Sequence, residues 1–212
     1  MKYSVILACF LLFFVVVPLH AQVINGDFSD GSTGWTASSG VDFSNGYAVM
    51  SIIYPDSYVS TTTTLSISQT VYANPGDTLS FDAIIYGSMK YATCINTYEL
   101  YNTSTKGIVE KFVGCAQNES FGSTSWTHYT LTIPADFSIP EGVSMTNPFS
   151  SGYYSIRFIA TLTISSYSGY DIDYFAVDNV QVTPEPSSVI MLIVFGACIT
   201  AWNRRQRKSA SF

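Results

Sequence analysis

Charge is scarce in this chain of 212 residues, and positive charge is scarcest: Asp, Glu, Lys and Arg make up 11% of it, and Lys and Arg together number nine. Between Gln22 and Thr183 the bases are Lys90, Lys106, Lys111 and Arg157, against 14 acids, a net charge of −10. Nucleic acid and anionic lipid both demand basic surface, so neither is the partner of this segment. Histidine is nearly missing as well. His128 is the one histidine after residue 21, so a zinc site or a histidine-based triad would rest on it alone. The sequence has no G-x-S-x-G, no H-E-x-x-H and no phosphate-cradling glycine loop. A pair of carboxylates is all that a glycosidase needs, and 14 acids supply many pairs without singling one out. The chain therefore reads as non-enzymatic, with a glycan-active hydrolase as the third reading. Nor does the segment contain an uninterrupted amphipathic pattern of three helical turns.

What is present is β pattern. "DTLSFDAIIYG" alternates Leu79, Phe81, Ala83 and Ile85 with Ser80, Asp82, Ile84 and Tyr86, and "WTHYTLTI" sets Tyr129, Leu131 and Ile133 against His128, Thr130 and Thr132. "YYSIRFIATLTI" turns Tyr154, Ile156, Phe158, Ala160, Leu162 and Ile164 to one side. A period of two is strand chemistry. Turn signals stand between the runs at Asn25-Gly26, Asn45-Gly46, Asn74-Pro75-Gly76-Asp77, Ser151-Gly152 and Ser168-Gly169. Thr-rich "STTTTLSIS" alternates with Leu65 and Ile67 and reads as a solvated strand. "GSTGW" (residues 31–35) and "GSTSW" (residues 122–126) echo each other as convergent loop-to-strand turns.

Cys9 and Cys198 lie in apolar terminal runs, which leaves Cys94 and Cys115 in the segment. A hairpin centred on the turn between Asn102 and Gly107 sets these two opposite one another, where a disulfide is sterically allowed. The same register opposes Glu99 and Glu110, whose like charges are expected to splay into water.

The ends have their own logic. Ser4 to Val17 carries no charge, follows Lys2 and leads into Pro18-Leu19-His20-Ala21. This predicts a signal peptide over residues 1–21, cut after Ala21 and therefore exported. Two cysteines in an oxidising compartment agree with the expected bridge. At the other end, "TPEPSSVIMLIVFGACITAWNRRQRK" passes from a stiff Pro-Glu-Pro linker into an uncharged run ending at Trp202, then into Arg204, Arg205, Arg207 and Lys208. The run predicts a short transmembrane helix over about residues 188–203, with the basic cluster on the cytoplasmic side.

The order of these features, Pro-Glu-Pro, marginal apolar span and terminal arginines, resembles the PEP-CTERM sorting signal of Gram-negative, often biofilm-forming bacteria. The resemblance implies that Pro184, Glu185 and Pro186 are recognised by an exosortase-type membrane protease. It also implies that Arg204, Arg205 and Arg207 stop transfer in residues 184–212, and that the final site is the cell surface or extracellular matrix. Asn203, ahead of the first arginine, and the long ending depart from the usual pattern.

The domain over residues 22–183 has a resemblance too. "VINGDFSDGSTGW", "NGYAVMSI", "LSISQTVYANPGDTLSFDA" and "DIDYFAVDNVQV" follow one another as in the jelly-roll carbohydrate-binding modules of the galactose-binding-like superfamily. In the last piece Phe175 and Val177 face inward, Asp178-Asn179 breaks the phase, and Val180 and Val182 resume it, as a bulge allows. The expected fold class is all-β, an antiparallel two-sheet jelly-roll sandwich. Such modules stack sugars on aromatic rings and bind hydroxyls with amides and carboxylates, which implies a ligand face containing Asp82, Tyr86, Asn96 and Tyr98. Relatives carry a structural calcium between the first and last strands. Ser29 stands where an acid usually follows the opening Phe, leaving Asp27, Asp30 and Asp178 as oxygen donors. No other cofactor is expected. The expected partner is extracellular polysaccharide; the alternative is a structural surface or biofilm protein without a specific ligand.

Overall fold

The computed structural model describes residues 22–54, 60–88, 92–103, 108–117, 120–133, 143–145, 152–164 and 171–184. Residues 1–21 and 185–212, which hold the expected leader, transmembrane helix, Glu185, Pro186, Arg204, Arg205 and Arg207, lie outside them. Among the described residues no helix is long and apolar enough to cross a membrane.

Among the described residues, alternation of apolar and polar side chains becomes eleven strands: β1 (Thr36–Ala37), β2 (Val41–Asp42), β3 (Ala48–Tyr54), β4 (Thr61–Ala73), β5 (Thr78–Ser88), β6 (Ala92–Asn102), β7 (Ile108–Gln117), β8 (Ser120–Thr132), β9 (Val143–Met145), β10 (Gly152–Ile164) and β11 (Asp171–Thr183). They form two antiparallel sheets, one of six strands in the order β1-β4-β10-β6-β7-β9 and one of five in the order β2-β3-β11-β5-β8. The chain crosses between the sheets repeatedly, at β1–β2, β3–β4, β4–β5, β5–β6, β7–β8, β8–β9 and β10–β11, which is how a single apolar phase on each strand comes to face one shared core.

The inward rows are those that the alternation predicts. Leu79, Phe81, Ala83 and Ile85 of β5 and all six named residues of β10 are buried. At the centre, Phe81 meets Tyr98 and Phe158 edge to face, each at 4.8 Å between ring centres, joining the two sheets. The opening segment closes one side of this core. Phe28 is buried against Trp35, and Trp35 Nε1 donates to the carbonyls of Ile24 and Asn25. Gln69, on the inward row of β4, receives Ile24 N on Oε1 and donates through Nε2 to the carbonyls of Ile24 and Gly34. Trp126, in the echoing "GSTSW", is 42% exposed on β8, so the two pentapeptides share letters and not roles.

The break in β11 falls where the sequence places it. Pairing with β5 shifts between Asp178 and Gln181, and Asn179 takes a left-handed φ of 52°. Beyond it Val180 N donates to Gly26 O at 2.8 Å, an approach so close that a Cβ at position 26 would lie 2.0 Å from Val180 O.

The β6–β7 hairpin corrects two expectations. From Tyr101↔Ile108 to Thr97↔Phe112 the register is the expected one, and Glu99 does oppose Glu110. A shift between Asn96 and Thr97 then sets Cys94 opposite Ala116 and Cys115 opposite Ile95. The cross-strand position that the bridge requires is lost by one residue. Cys94 is a buried thiol outside any disulfide. Glu99 does not splay into water either: it is mostly buried, and its Oε2 lies 3.4 Å from Arg157 Nη1 on β10.

Candidate functional site

Of the four residues expected on a ligand face, the structure separates two from the other two. Asp82 and Tyr86 stand on the outer side of β5. Asn96 and Tyr98 lie on the inward row of β6, each 0% exposed, and cannot meet a sugar there. The sequence "ATCINTYELYN" misleads because both of its phases mix polar with apolar residues. What sets the phase is the register with β10, which places Cys94, Asn96, Tyr98 and Leu100 beside Leu162, Ala160, Phe158 and Ile156.

Inside the sandwich Asn96 Nδ2 donates to Asp173 Oδ1 at 2.9 Å and to Cys94 Sγ at 3.2 Å. Burial pushes the Asp173 carboxyl up to about 6, against hydrogen bonds from Cys94 and Asn96 that favour its charged form. Burial also raises the Tyr98 phenol, with the nearby Tyr129 adding to the effect.

Asp82 belongs to a row running across three strands, Asp178, Asp82 and His128. His128 Nδ1 lies 2.7 Å from Asp82 Oδ1, so that nitrogen carries the proton, and Asn179 Nδ2 donates to Asp82 Oδ2 at 2.9 Å. Partial burial acts to raise Asp82, yet the His128 and Asn179 hydrogen bonds and the His128 charge hold it below the ordinary carboxylate value. Asp178 is raised by burial and by the charges of Asp82 and Asp27. Asp30 instead donates its backbone N–H to Asn25 Oδ1, and Asp27 is engaged by the backbone and hydroxyl of Ser29. Of the three expected calcium donors, Asp27 and Asp178 are thus within electrostatic reach of each other, but the three do not form one cluster. Among the described residues no three His, Cys, Asp or Glu side chains converge as a metal site would require.

Around this row the outer side of the five-stranded sheet is covered rather than open. Ala176 is 0% exposed and Val49 8%, although both point away from the core. Ala176 lies between Val49 and Ile84, and β8 spends three residues, Thr124 to Trp126, opposite that one Ile84. This excursion carries Trp126 to Tyr47, two residues ahead of Val49, where the rings meet edge to face at 5.2 Å. The pair closes over the row. Tyr174 sits beside it, pushed up to about 12 by burial, by its hydrogen bond with Tyr47 and by the charge of Asp42.

The outer side of the six-stranded sheet is arranged differently. Register builds its rows: Thr62–Thr163–Thr93, Thr64–Thr161–Ile95, Ser66–Ile159–Thr97, Ser68–Arg157–Glu99 and Thr70–Ser155–Tyr101. Hydroxyls of Thr62 and Thr163, and of Thr64 and Thr161, bond across the strands at 3.2 Å. At one end Tyr72 and Tyr153 form an edge-to-face pair at 5.6 Å, with Tyr153 59% exposed. Next to them the Arg157 guanidinium lies 4.1 Å from the centre of the Tyr101 ring while Glu99 holds its other side. Three aromatic rings, a fixed guanidinium and rows of hydroxyls thus share one solvent-facing surface. That set suits hydrogen bonding to polyols and stacking on their apolar ring faces.

Reasoning from the sequence missed Arg157, Glu99, Tyr101, Tyr72 and Tyr153. A usable signal was present: pairing β10 with β6 by their apolar phases brings the domain's one arginine beside a glutamate.

No family model and no curated protein matches the chain. Among solved structures it is similar to carbohydrate-binding modules of the β-sandwich superfamily described as promiscuous in specificity, with 16% identity, 74% of this chain and 60% of that chain covered, and a TM-score of 0.32. It is also similar to a family 11 carbohydrate-binding module from Clostridium thermocellum in complex with a β-1,3-1,4-mixed-linked tetrasaccharide, at 17% identity over 78% of this chain and 95% of that one, with a TM-score of 0.35. A third is the enzymatically active domain of tailspike protein 4 of bacteriophage CBA120, at 17% identity, 77% of this chain, TM-score 0.32. The chain spans 60% of the first of these and 21% of the tailspike.

Proposed function

We propose that the protein is an exported, non-enzymatic polysaccharide binder of jelly-roll type whose ligand lies on the outer side of the six-stranded sheet. The observation that carries this reading is the surface just described: the Tyr72–Tyr153 pair and the Arg157–Tyr101 stack, steadied by Glu99, among Ser and Thr rungs. Arg157 is the only guanidinium between Gln22 and Thr183, and Glu99 compensates its charge. It serves as a fixed fork of donors for hydroxyls rather than as an anion trap. The reading also takes its address from the sequence: a signal peptide over residues 1–21, and a PEP-CTERM tail over residues 184–212 that anchors the chain until an exosortase-type protease acts on Pro184, Glu185 and Pro186. Delivery is then to the cell surface or matrix.

The test is a titration of the full chain, in neutral detergent, against a panel of polysaccharides followed by melting temperature and calorimetry. Saturable binding that raises the melting temperature, and that Arg157→Ala and Tyr153→Ala weaken, supports the reading. Binding to none of the panel by the folded protein refutes it. Sugar release from any of them would move the assignment to a hydrolase.

A further inference from the structure

Two sheets have four edges, and three of them end in very short strands: β1 and β2 of two residues each and β9 of three. The fourth is β8, with 13 residues. Among the described residues no strand pairs with its outer side. Gly122 to His128, Thr130 and Thr132 are all exposed. Edge strands are usually blunted by brevity, by a charged side chain or by proline, because a bare row of N–H and C=O groups templates pairing with another chain. From Ser120 to Thr132 there is no Asp, Glu, Lys, Arg or Pro. The excursion opposite Ile84 disturbs the strand in its middle, but Thr127 to Thr132 pairs with Ala83 to Thr78 residue for residue and presents a regular far edge.

We propose that this edge binds a second copy of the same chain, β8 against β8 in antiparallel sense about a twofold axis at Thr130, in the middle of the regular stretch, so that the two five-stranded sheets run on as one. Charge selects the occupant. With a net charge of −10 between Gln22 and Thr183, two copies repel over most of their surface. Along β8 they meet without a carboxylate, lysine or arginine at the seam; of its two titratable side chains, His128 is turned to Asp82 of its own sheet and Tyr129 packs against the core. A basic foreign strand would find no carboxylate on β8 to pair with. Thr127, Thr130 and Thr132 supply hydroxyls of the kind that already bond across strands in the six-stranded sheet. A twofold axis normal to the merged sheet leaves both six-stranded sheets on the same side. Their outer faces would then act together on one polymer.

Sedimentation of the full chain in neutral detergent, over a wide range of concentration, tests this. The expected result is a dimer that dissociates on dilution and whose association constant falls about tenfold or more in Thr130→Lys, which places like charges across the seam. Thr161→Lys, on the outer side of the six-stranded sheet, should leave it unchanged. Mild oxidation of Thr130→Cys should trap the dimer where Thr161→Cys does not. A chain that stays monomeric throughout overturns the proposal, and so does association that Thr130→Lys leaves intact or a trap that forms equally at position 161.

Discussion

On the outer side of the five-stranded sheet, Ala176 and Val49 are as hidden as core residues, while on the outer side of the six-stranded sheet Glu99 alone is buried among the described residues. Both sides carry tyrosines and short polar residues. They differ in what the rings do. Tyr47 and Trp126 face each other across the strands and spend their surface covering Val49 and Ala176. Tyr72, Tyr153 and Tyr101 sit within or beside their own rows and leave theirs to solvent, with Arg157 pinned among them. Aromatic content therefore does not mark a binding face. The arrangement of the rings relative to the strands decides which side is left open to solvent.

The layer common to both sides sets the largest expected effect. Asp173 titrates at about 6 in the fold against 3.8 in the unfolded chain. Its raised value means that stability is fully present below pH 3.8 and is lost as pH rises through 6, a change on the order of 3 kcal/mol. Thermal unfolding measured across this range should show the loss, and Asp173→Asn should flatten it; an unchanged profile in the variant would assign the pH dependence elsewhere.

Next comes Trp126→Ala, which uncovers Val49 and Ala176. It should cost about 2 kcal/mol in urea unfolding, less than for a Trp buried on all sides, and leave glycan affinity as it was. Loss of affinity here would make the covered side the ligand face. Arg157→Ala should do the reverse: affinity falls about tenfold, roughly 1.4 kcal/mol, with stability changed by less than that. The smallest effect is from a reductant. With Cys94 outside any disulfide, excess thiol should not move the melting temperature, and a marked drop would reinstate the bridge to Cys115.

Strands with one unmixed phase, such as β5 and β10, could be read from sequence down to the individual inward residue, because burying the other phase would strand hydroxyls and carboxylates in the core. The break at Asp178-Asn179 was legible for the same reason. β6 was not, since Asn96 and Tyr98 on one side and Ile95 on the other leave the local pattern without a sign, and only the register with β10 supplies it. The cysteine pairing failed on a shift of one residue between Asn96 and Thr97, which no composition signal announces. The candidate face was hidden more deeply. Arg157 and Glu99 are 58 residues apart, and their meeting depends on a pairing between strands that are not consecutive in sequence.

The place of β11 also decides how the molecule bears load. It lies between β3 and β5, and its end at Thr183 leads directly into residues 184–212. Tension applied through that end runs along the strand, perpendicular to the hydrogen bonds that tie it to both neighbours. Those bonds are sheared together rather than peeled one after another, so a pull along β11 must break many at once. A domain tethered at this end would resist drag as a riveted plate does, with its outer strands free of the strain.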